Sequence, residues 1–512
     1  MSLTLCRLLY ATVFLTGCAV LIFEVAAIRL LTPHFGSSLY VLSSVLSTIL
    51  LALSLGYTLG GRLADRYPQP AILFLIIALA GTTMISLLWL VDTLLPILSS
   101  VLGLSYGPLV IAFVGFFVPA LLLGIDSPFV IKLLGKTEQT SGTTVGNVFF
   151  WSTIGSITGS LCAGFVLIPG FGVKETIVGT ALLMTAWATS LLWIFDQDRR
   201  LKVASSFLLC ITIILAGLLL RHPPLTTGNT LHVEDGFYSH TEVFERELGG
   251  ITYRFLKNDT NYSSAIIPNT YEIAFPYAAY ALLFPTMVKA PSNYLVLGGG
   301  AYTIPRHVHQ AYPDLAITTV EVEPHLLSLA YDYFEYQKSP NLTNITSDAR
   351  LFLQSRTTKY DVIFSDVMNS GHYIPPHLLT VEFFTTLQNS LAPGGVIMLN
   401  YIGSLDTAGT TMTGSVLRTI STVFENYQLY AMEDTKTKRL QNILIVLRHA
   451  KEDITFGDAR IKNHLYQSDV AAKDMLITID PQSLADEALF TDNHSTAEQL
   501  TQKQFRLHSQ IN

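Results

Sequence analysis

About seven long apolar stretches occupy the first 220 residues and restrict this part of the chain to one kind of fold. A helix needs roughly 20 apolar residues to cross the hydrocarbon core of a membrane. Stretches of that length run over 8–30, 39–61, 71–95, 107–134, 145–169, 174–195 and 203–220. We therefore predict that residues 1–221 form a multi-pass α-helical membrane domain of about seven helices, located in the cell (inner) membrane with the lipid bilayer as a partner.

The composition changes where these stretches end. Over the whole chain 13% of the residues are charged, whereas a soluble protein has about 25% charged residues. Charges are sparse up to Leu220 and reach an ordinary density from Arg221 onward, and all four cysteines lie in or beside the apolar part. Disulfides therefore do not hold the second half together. The formal net charge of −7 offers no basic surface, so we predict no nucleic-acid partner.

Three ionisable residues lie inside the predicted spans, where charge is costly and often functional. They are Glu24, Arg29 and Asp126. These side chains could line a substrate path, or they could pair with one another and lock the bundle. We prefer the second interpretation.

The second half begins with a linker and a predicted β-hairpin, which together cover 222–275. The hairpin signal Gly249-Gly250 separates two predicted strands, at 238–245 and 251–256. This region precedes a longer one of different character.

Strands and helices alternate over residues 276–512. The predicted strands lie at 294–297, 316–322, 343–346, 360–365, 396–401, 428–432 and 442–447. The predicted helices lie at 277–283, up to 310, and at 325–334, 351–355, 381–391 and 415–424. Such alternation predicts an α/β Rossmann-like domain with a parallel sheet that helices cover on both faces.

Each chemical signal of this domain follows the end of a predicted strand, where ligands of such sheets bind. Gly298, Gly299 and Gly300 follow the first strand and permit a tight turn with close backbone approach to a ligand. Glu321 ends the second strand. Its carboxylate can accept both ribose hydroxyls of a nucleoside, or it is a solvated carboxylate in a turn.

Two aspartates follow the next two strands. Asp348 comes after the third strand and can accept a hydrogen bond from an adenine amino group. Asp366 ends the fourth strand and could serve as a general base or as the ligand of a cation. The ordered set of signals is stronger than any of its members.

The stretches YLVLGGG, TTVEVEP, SDAR, YDVIFSDV and LTVEFFTTLQNSLAPGGVIMLN resemble the spermidine synthase (polyamine aminopropyltransferase) family, which has a methyltransferase-type fold. The chain as a whole resembles membrane-fused relatives, described as fused major facilitator/spermidine synthase-like proteins. The stretches FEVAAIRLLTPHFGSSLYV, LGGRLADRYP and STIGSITGSLCAGFVLIPGFG carry that second resemblance.

The resemblance implies a function and a set of roles. Decarboxylated S-adenosylmethionine, or S-adenosylmethionine itself, would be the co-substrate, no metal would take part, and the other ligand would be an amine acceptor such as a polyamine. By motif, Glu321 would hold the ribose, Asp348 and Ala349 the adenine, and Asp366 would be the catalytic residue that takes the proton of the amine. Tyr238 aligns with a catalytic tyrosine of the active-site hairpin. A homodimer is left open.

The sequence departs from the family pattern around the amine. The family's Gly-Gly-Gly-Asp-Gly ends here in Ala301-Tyr302, the second acid of an Asp-x-x-Asp pair is Asn369, and Ser239 replaces a glutamine. These differences remove negative charge where the cations of a polyamine would lie. We therefore expect the nucleoside half of the site to be retained and the amine half to be altered.

Three functions remain open from the sequence. The chain could be a membrane-bound aminopropyltransferase-like enzyme, an S-adenosylmethionine-dependent methyltransferase, or a non-catalytic nucleoside- or polyamine-binding domain coupled to a transporter-like membrane domain.

The side of the membrane on which the second half lies also stays open. Lys and Arg after the second, fourth and sixth spans indicate a cytoplasmic N-terminus, and an odd number of spans then places the α/β domain outside, away from a cytosolic nucleoside.

Overall fold

The structure is a computed structural model, in which the chain forms two compact units, Met1–Thr226 and Thr227–Asn512. It describes residues 3–35, 38–135, 141–220, 229–259, 261–368, 374–405, 410–432, 435, 439–449, 456, 460–463, 468–479 and 481–509.

The described part of the first unit is helical almost throughout. Its helices are α1 (Leu3–Phe35), α2 (Leu39–Arg66), α3 (Pro70–Gly124), α4 (Asp126–Leu134), α5 (Ser141–Cys162), α6 (Ile168–Phe171), α7 (Val173–Phe195) and α8 (Arg199–Leu219), with a π-helical turn, Ala163–Leu167, between α5 and α6. Within the described residues, seven helical segments are long and apolar enough to cross a membrane: Leu3–Phe35, Leu39–Arg66, Pro70–Val91, Tyr106–Leu134, Gly142–Phe171, Val173–Phe195 and Arg199–Leu219. Each predicted stretch overlaps one of these segments.

Helix α3 folds back on itself although its backbone is helical throughout. A Cβ placed on Gly115 would lie 2.5 Å from Cγ2 of Val91. In a straight helix, residues so far apart in sequence would be separated by more than about 30 Å. The third and fourth predicted spans therefore lie side by side.

Small residues bring the helices of the first unit into close contact. Gly155 and Gly159 of α5 pack directly against backbone carbonyl groups of α1, and Gly17 of α1 packs against one of α5. On α2, a Cβ at Gly60 would lie 2.6 Å from the carbonyl oxygen of Ile125, which precedes α4. Such approaches let apolar helices gain van der Waals contact without relying on a hydrophobic driving force.

The second unit starts with an antiparallel sheet, the hairpin sheet, in the order β1 (Asn229–Asp235), β2 (His240–Leu248), β3 (Ile251–Asn258) and β4 (Asn261–Ile266). The predicted hairpin is its centre, with Leu248 opposite Ile251. Gly249 and Gly250 have φ of 61° and 81°, which the two-residue turn of a twisted hairpin requires and glycine adopts without strain. The sequence pattern did not predict the outer strands β1 and β4.

The main sheet has eight strands in the order β14-β10-β11-β9-β8-β5-β6-β7. The strands are β5 (Asn293–Leu297), β6 (Ala316–Glu321), β7 (Leu342–Thr346), β8 (Tyr360–Ser365), β9 (Leu391–Gly403), β10 (Asn426–Ala431), β11 (Gln441–Arg448) and β14 (Leu476–Ile477), and β12 (Arg460–Asn463) pairs separately with β13 (Ser468–Ala471). The helices of this unit are α9 (Pro276–Tyr280), α10 (Thr303–Ala311), α11 (Leu326–Tyr333), α12 (Ala349–Gln354), α13 (Val381–Ser390), α14 (Met412–Ser421) and α15 (Ala497–Ser509).

The predicted parallel sheet has an antiparallel strand at one side. Strands β7, β6, β5, β8 and β9 are parallel, but β11 is antiparallel to both β9 and β10. The connection between β10 and β11 covers only 432–440. A parallel pair needs a crossover of about a dozen residues or more, so this short connection returns the chain in the opposite direction.

Helices cover both faces of the main sheet, as the alternation predicts. On β5, Leu295 and Leu297 face one apolar cluster, to which α12, α13 and α14 contribute. Tyr294 and Val296 face a second cluster, to which α9 and α10 contribute. Because both faces are buried, the central strands are mainly apolar and polar residues follow at their ends. Since these strands are parallel, their polar ends lie at the same edge of the sheet.

Candidate active site

The carboxyl ends of the parallel strands meet at one edge of the main sheet, and a cavity of about 490 Å³ lies there. Backbone hydrogen bonds continue past the strand ends: the amide of Gly298 donates to Val320, and the amide of Asp366 donates to Leu297. The loops after β5, β6, β7 and β8 therefore start from fixed positions. All eight site residues that the sequence proposes line this cavity: Tyr238, Gly298, Gly299, Gly300, Glu321, Asp348, Ala349 and Asp366.

Glu321 organises the glycine loop. Its Oε2 accepts hydrogen bonds from the amides of Gly299, at 2.7 Å, and Gly300, at 3.1 Å. Its Oε1 accepts from the amide of Glu323 at 2.9 Å. Burial raises the pKa of Glu321, and these amide hydrogen bonds partly offset that rise. A carboxylate has about four lone-pair sites, so the three amide contacts leave Oε1 able to accept a further donor from a ligand.

Glu323, which the sequence reasoning missed, attaches the hairpin sheet to the end of β6. Its carboxylate accepts from the amides of Phe237, Tyr238 and Ser239 at 3.0, 2.6 and 3.2 Å. The imidazole of His325 lies 3.1 Å from Oε1. Burial acts to raise the pKa of Glu323, but the hydrogen bonds from His325 and the amides outweigh it and hold the pKa below its ordinary value.

This contact brings Tyr238 to the cavity. Its backbone is held by Glu323, while its side chain is half exposed and lines the opening. The residue is therefore positioned by its main chain, and its ring is available to a ligand.

Asp348 has a structural contact as well as a place in the cavity wall. It is the N-cap of α12, where its Oδ1 accepts from the amides of Arg350 and Leu351, each at 2.9 Å. Such a cap satisfies amide groups that the first helical turn leaves unpaired. Its Oδ2 lies 3.1 Å from Nε2 of His377, which also lines the cavity. The buried Ala349 completes this wall.

Asp366 lies in a network of side-chain hydrogen bonds. Its Oδ1 accepts from Nδ2 of Asn400 at 2.7 Å, and Oδ1 of Asn400 accepts from Nδ2 of Asn442 at 2.9 Å. The hydroxyl of Tyr277 donates to the carbonyl oxygen of Ser263 at 3.2 Å and also lies near the Asp366 carboxylate. Burial raises the pKa of Asp366 to about 6, with the charge of Glu321 adding to the rise and the contacts with Asn400 and Tyr277 opposing it.

Tyr277 and Asn400 are the principal residues that the sequence reasoning did not assign to the site. Tyr277 is the second residue of α9, and burial together with Asp366 raises the pKa of its hydroxyl well above the ordinary value. Asn400 lies on β9, next to β8 and Asp366 in the sheet. A signal existed for Asn400: it is a polar residue near the end of an apolar strand, the same pattern that identified Asp366.

The cavity is acidic. Four carboxylates line it, from Glu321, Glu323, Asp348 and Asp366, while the described lining residues include no Lys or Arg and one histidine, His377. Nor do the described residues contain a group of three His, Cys, Asp or Glu side chains placed to hold a metal ion. The charge pattern suits a cationic ligand.

The residues that depart from the family pattern lie in different places. Ser239 is buried in the cavity wall. Ala301 is 1% exposed, belongs to an apolar cluster with Tyr302 and does not line the cavity. Asn369 lies outside the described residues. The resemblance places residue 301 near the cations of a polyamine, but the turn after Gly300 directs Ala301 into the core.

No protein-family model matches the chain. Polyamine aminopropyltransferase 1 of Streptomyces coelicolor is 25% identical over 421 residues, which cover 77% of this chain and 75% of that protein. A polyamine aminopropyltransferase of Vibrio vulnificus is 28% identical over 201 residues, which cover 37% of this chain and 66% of that protein. A solved structure of a probable spermidine synthase from Corynebacterium glutamicum shares 23% identity with a TM-score of 0.42, covering 53% of this chain and 98% of the other. The chain is therefore similar in sequence to proteins named polyamine aminopropyltransferases.

Proposed function

We propose that the second unit binds a decarboxylated S-adenosylmethionine-type nucleoside and transfers its aminopropyl group to an amine. The observation that carries this proposal is the acidic cavity at the strand ends, with four carboxylates and no Lys or Arg among its described lining residues. Both reactants carry positive charge, a sulfonium on one and an ammonium on the other. Carboxylates stabilise such charges in a partly desolvated site.

The same charge pattern favours the decarboxylated nucleoside over S-adenosylmethionine itself. S-Adenosylmethionine carries a carboxylate that binding sites usually pair with a cation or with backbone amides. The described lining residues supply no Lys or Arg for this purpose, and Glu321 already occupies the amides of Gly299 and Gly300. A methyltransferase reaction is therefore the less favoured alternative.

In the proposed complex, each half of the nucleoside meets a different strand end. Glu321 would accept a ribose hydroxyl on Oε1, the oxygen with a lone pair that the main-chain amides leave free. Asp348 and Ala349 would lie along the adenine. This assignment rests on the family motif and on the position of all three residues in the cavity wall.

Asp366 would act as the general base. The amine arrives as an ammonium ion, and its proton passes to the carboxylate of Asp366 before or during attack. The nitrogen lone pair then forms a C–N bond to the methylene carbon next to the sulfonium, and the C–S bond breaks so that sulfur leaves as a neutral thioether. A pKa of about 6 makes Asp366 a stronger base than an ordinary aspartate while it stays mostly ionised at neutral pH.

Asn400 and Tyr277 would keep this base in position. Oδ1 of Asn400 accepts from Asn442, so its Nδ2 faces Asp366 as a donor. The hydroxyl of Tyr277 approaches the same carboxylate. Both contacts stabilise the ionised form that accepts the proton.

We further propose that the first unit places the enzyme in a membrane as a multi-pass domain. The seven apolar helical segments support this placement. Resemblance to a transporter-like fold is not required for it, since a bundle of apolar helices suffices as an anchor.

The test uses the full-length protein purified in detergent. Nucleosides that it retains are identified by mass spectrometry, and decarboxylated S-adenosylmethionine is then supplied with a panel of mono-, di- and polyamines. We expect formation of 5′-methylthioadenosine together with an aminopropylated amine, and loss of both products in Asp366→Asn. Methylated product from S-adenosylmethionine would establish a methyltransferase instead, and nucleoside binding without turnover of any acceptor would leave a binding domain.

A further inference from the structure

The first unit buries a carboxyl group for which the proposed reaction has no use. Asp126, the first residue of α4, is 1% exposed. Its Oδ2 lies 2.5 Å from Oγ1 of Thr16 on α1. In the described part of the chain, its Oδ1 has no hydrogen-bond partner, and the ion pairs formed there do not include Asp126.

The hydrogen atoms around Thr16 determine the charge of Asp126. Oγ1 of Thr16 also lies 3.1 Å from the carbonyl oxygen of Val13, one turn earlier in α1. A hydroxyl group has one hydrogen, so Thr16 cannot fully serve both acceptors. If Asp126 is a neutral acid, its own O–H donates to Thr16, and Thr16 donates to Val13. Every hydrogen then has an acceptor.

An ionised Asp126 would lack this arrangement. One oxygen would share a single hydroxyl hydrogen and the other would have no donor, in a site from which water is excluded. An uncompensated buried carboxylate is unfavourable by several kcal/mol, and such a group usually stays neutral.

Among the described residues, no charged side chain forms an ion pair with Asp126. The elements packed against α4 are α1, α2, α3 and α5. Among the described side chains of these five helices, Asp126 is the only titratable one that is buried. The other described titratable side chains of these helices are half-buried or exposed: Cys6, Arg7, Tyr10, Cys18, Glu24, Arg29 and His34 on α1, Tyr40, Tyr57, Arg62, Asp65 and Arg66 on α2, Tyr106 on α3, Lys132 on α4 and Cys162 on α5. Lys132 pairs with Asp65 at 2.6 Å.

We propose that Asp126 is a proton-binding site of the helical unit, in which the neutral acid joins α4 to α1 through Thr16. Release of the proton to water removes the donor of this hydrogen bond and leaves a negative charge between two closely packed helices. The contact between α1 and α4 then opens. The first unit would thus contain a proton-dependent contact, independent of the chemistry of the cavity.

Infrared spectroscopy of the full-length protein in detergent tests the protonation state. We expect a carbonyl stretch of a protonated carboxylic acid at neutral pH that disappears in Asp126→Asn. Glu24→Gln, which changes a half-buried acid of α1, is the control and should leave that band in place. Absence of any band sensitive to Asp126→Asn would show that Asp126 is ionised and overturn the proposal.

Thermal unfolding tests the contact. Asn donates through its amide as the neutral acid does through its hydroxyl, so Asp126→Asn should melt close to wild type, whereas Asp126→Leu and Thr16→Val should melt lower. As the pH is raised until the band disappears, the melting temperature should fall in wild type but not in Asp126→Asn. If Asp126→Asn lowers the melting temperature as much as Asp126→Leu, the contact requires the ionised carboxylate and the proposal fails. If Na⁺ or K⁺ stabilises wild type but not Asp126→Asn, the site binds a metal cation and not a proton. Should Asp126→Leu fail to fold, the infrared comparison still decides.

Discussion

Gly298 packs directly against the backbone carbonyl oxygen of Asp366, so that the loop expected to approach the nucleoside touches the residue expected to take the proton of the amine. Gly298 has φ of 89°, a conformation that L side chains rarely adopt. The amide of Asp366 donates to the carbonyl oxygen of Leu297, the residue before Gly298, at 2.8 Å. The two halves of the proposed site are thus joined through the main chain.

Gly298→Ala should therefore impair the proposed reaction. The new methyl group would overlap the carbonyl group of Asp366 and would also force strain at positive φ, a loss of stability of about 1–3 kcal/mol or more. Gly394→Ala is a matched control, because Gly394 has φ of 77° but open space around it. We expect Gly394→Ala to lower the urea midpoint with unchanged kcat/KM, and Gly298→Ala to lower both. Equal kcat/KM in the two variants would contradict the contact.

The pH dependence of turnover should report Asp366. Only its ionised form can take a proton, and burial raises its pKa to about 6, so kcat/KM should fall as the pH decreases through about 6. Asp366→Asn should reduce kcat by about 10²-fold to 10⁴-fold. The hydrogen bond from Asn400 lowers this pKa, so Asn400→Ala should move the acidic limb to higher pH. A limb that stays in place in Asn400→Ala would mean that another group titrates.

Glu321→Ala should weaken nucleoside binding. The substitution removes the proposed ribose acceptor and also frees the amides of Gly299 and Gly300. Loss of a charge-assisted hydrogen bond typically weakens binding by about 1.5–3 kcal/mol, or roughly tenfold to a hundredfold. Calorimetry with 5′-methylthioadenosine measures it, with Asp314→Ala, an exposed acid on the same unit, as control. Unchanged affinity in Glu321→Ala would remove the ribose assignment.

Ala301→Asp should destabilise the second unit without creating a polyamine subsite. Ala301 is 1% exposed and packs in an apolar cluster with Tyr302 and Leu326. A carboxylate placed there would be buried without a partner, which is unfavourable by several kcal/mol. We expect a lower urea midpoint and no increase in turnover of putrescine. Tighter putrescine binding by Ala301→Asp would show that residue 301 reaches the cavity after all.

Residues 227–512 should fold without the first unit. They form a compact unit with apolar clusters on both faces of the main sheet and a third cluster beneath the hairpin sheet. Expression of this segment alone should give a soluble protein with one cooperative unfolding transition in urea. An aggregated or non-cooperative product under mild conditions would indicate that the first unit is needed for folding.

The sequence by itself was sufficient wherever local pattern and chain order decide the result. Length and apolarity determine the helical segments of the first unit, and alternation of strands and helices determines the layers of the second. Glu321 and Asp366 could be assigned to one site because parallel strands bring their carboxyl ends to the same edge, whatever the details of packing. The antiparallel side of the sheet was missed although the nine residues between the predicted strands 428–432 and 442–447 are too few for a parallel crossover.

Tertiary structure decided which side chains touch. The contact of Glu323 with the amides of 237–239 joins segments far apart in the chain, and so does that of Tyr277 with Asp366. Ala301 follows the glycine loop in sequence, yet the turn sends it into the core. Sequence order places a residue at a strand end. A hydrogen bond, however, requires a donor–acceptor distance that is correct to a few tenths of an ångström and a suitable side-chain direction. Only the packing of the sheets and helices determines these.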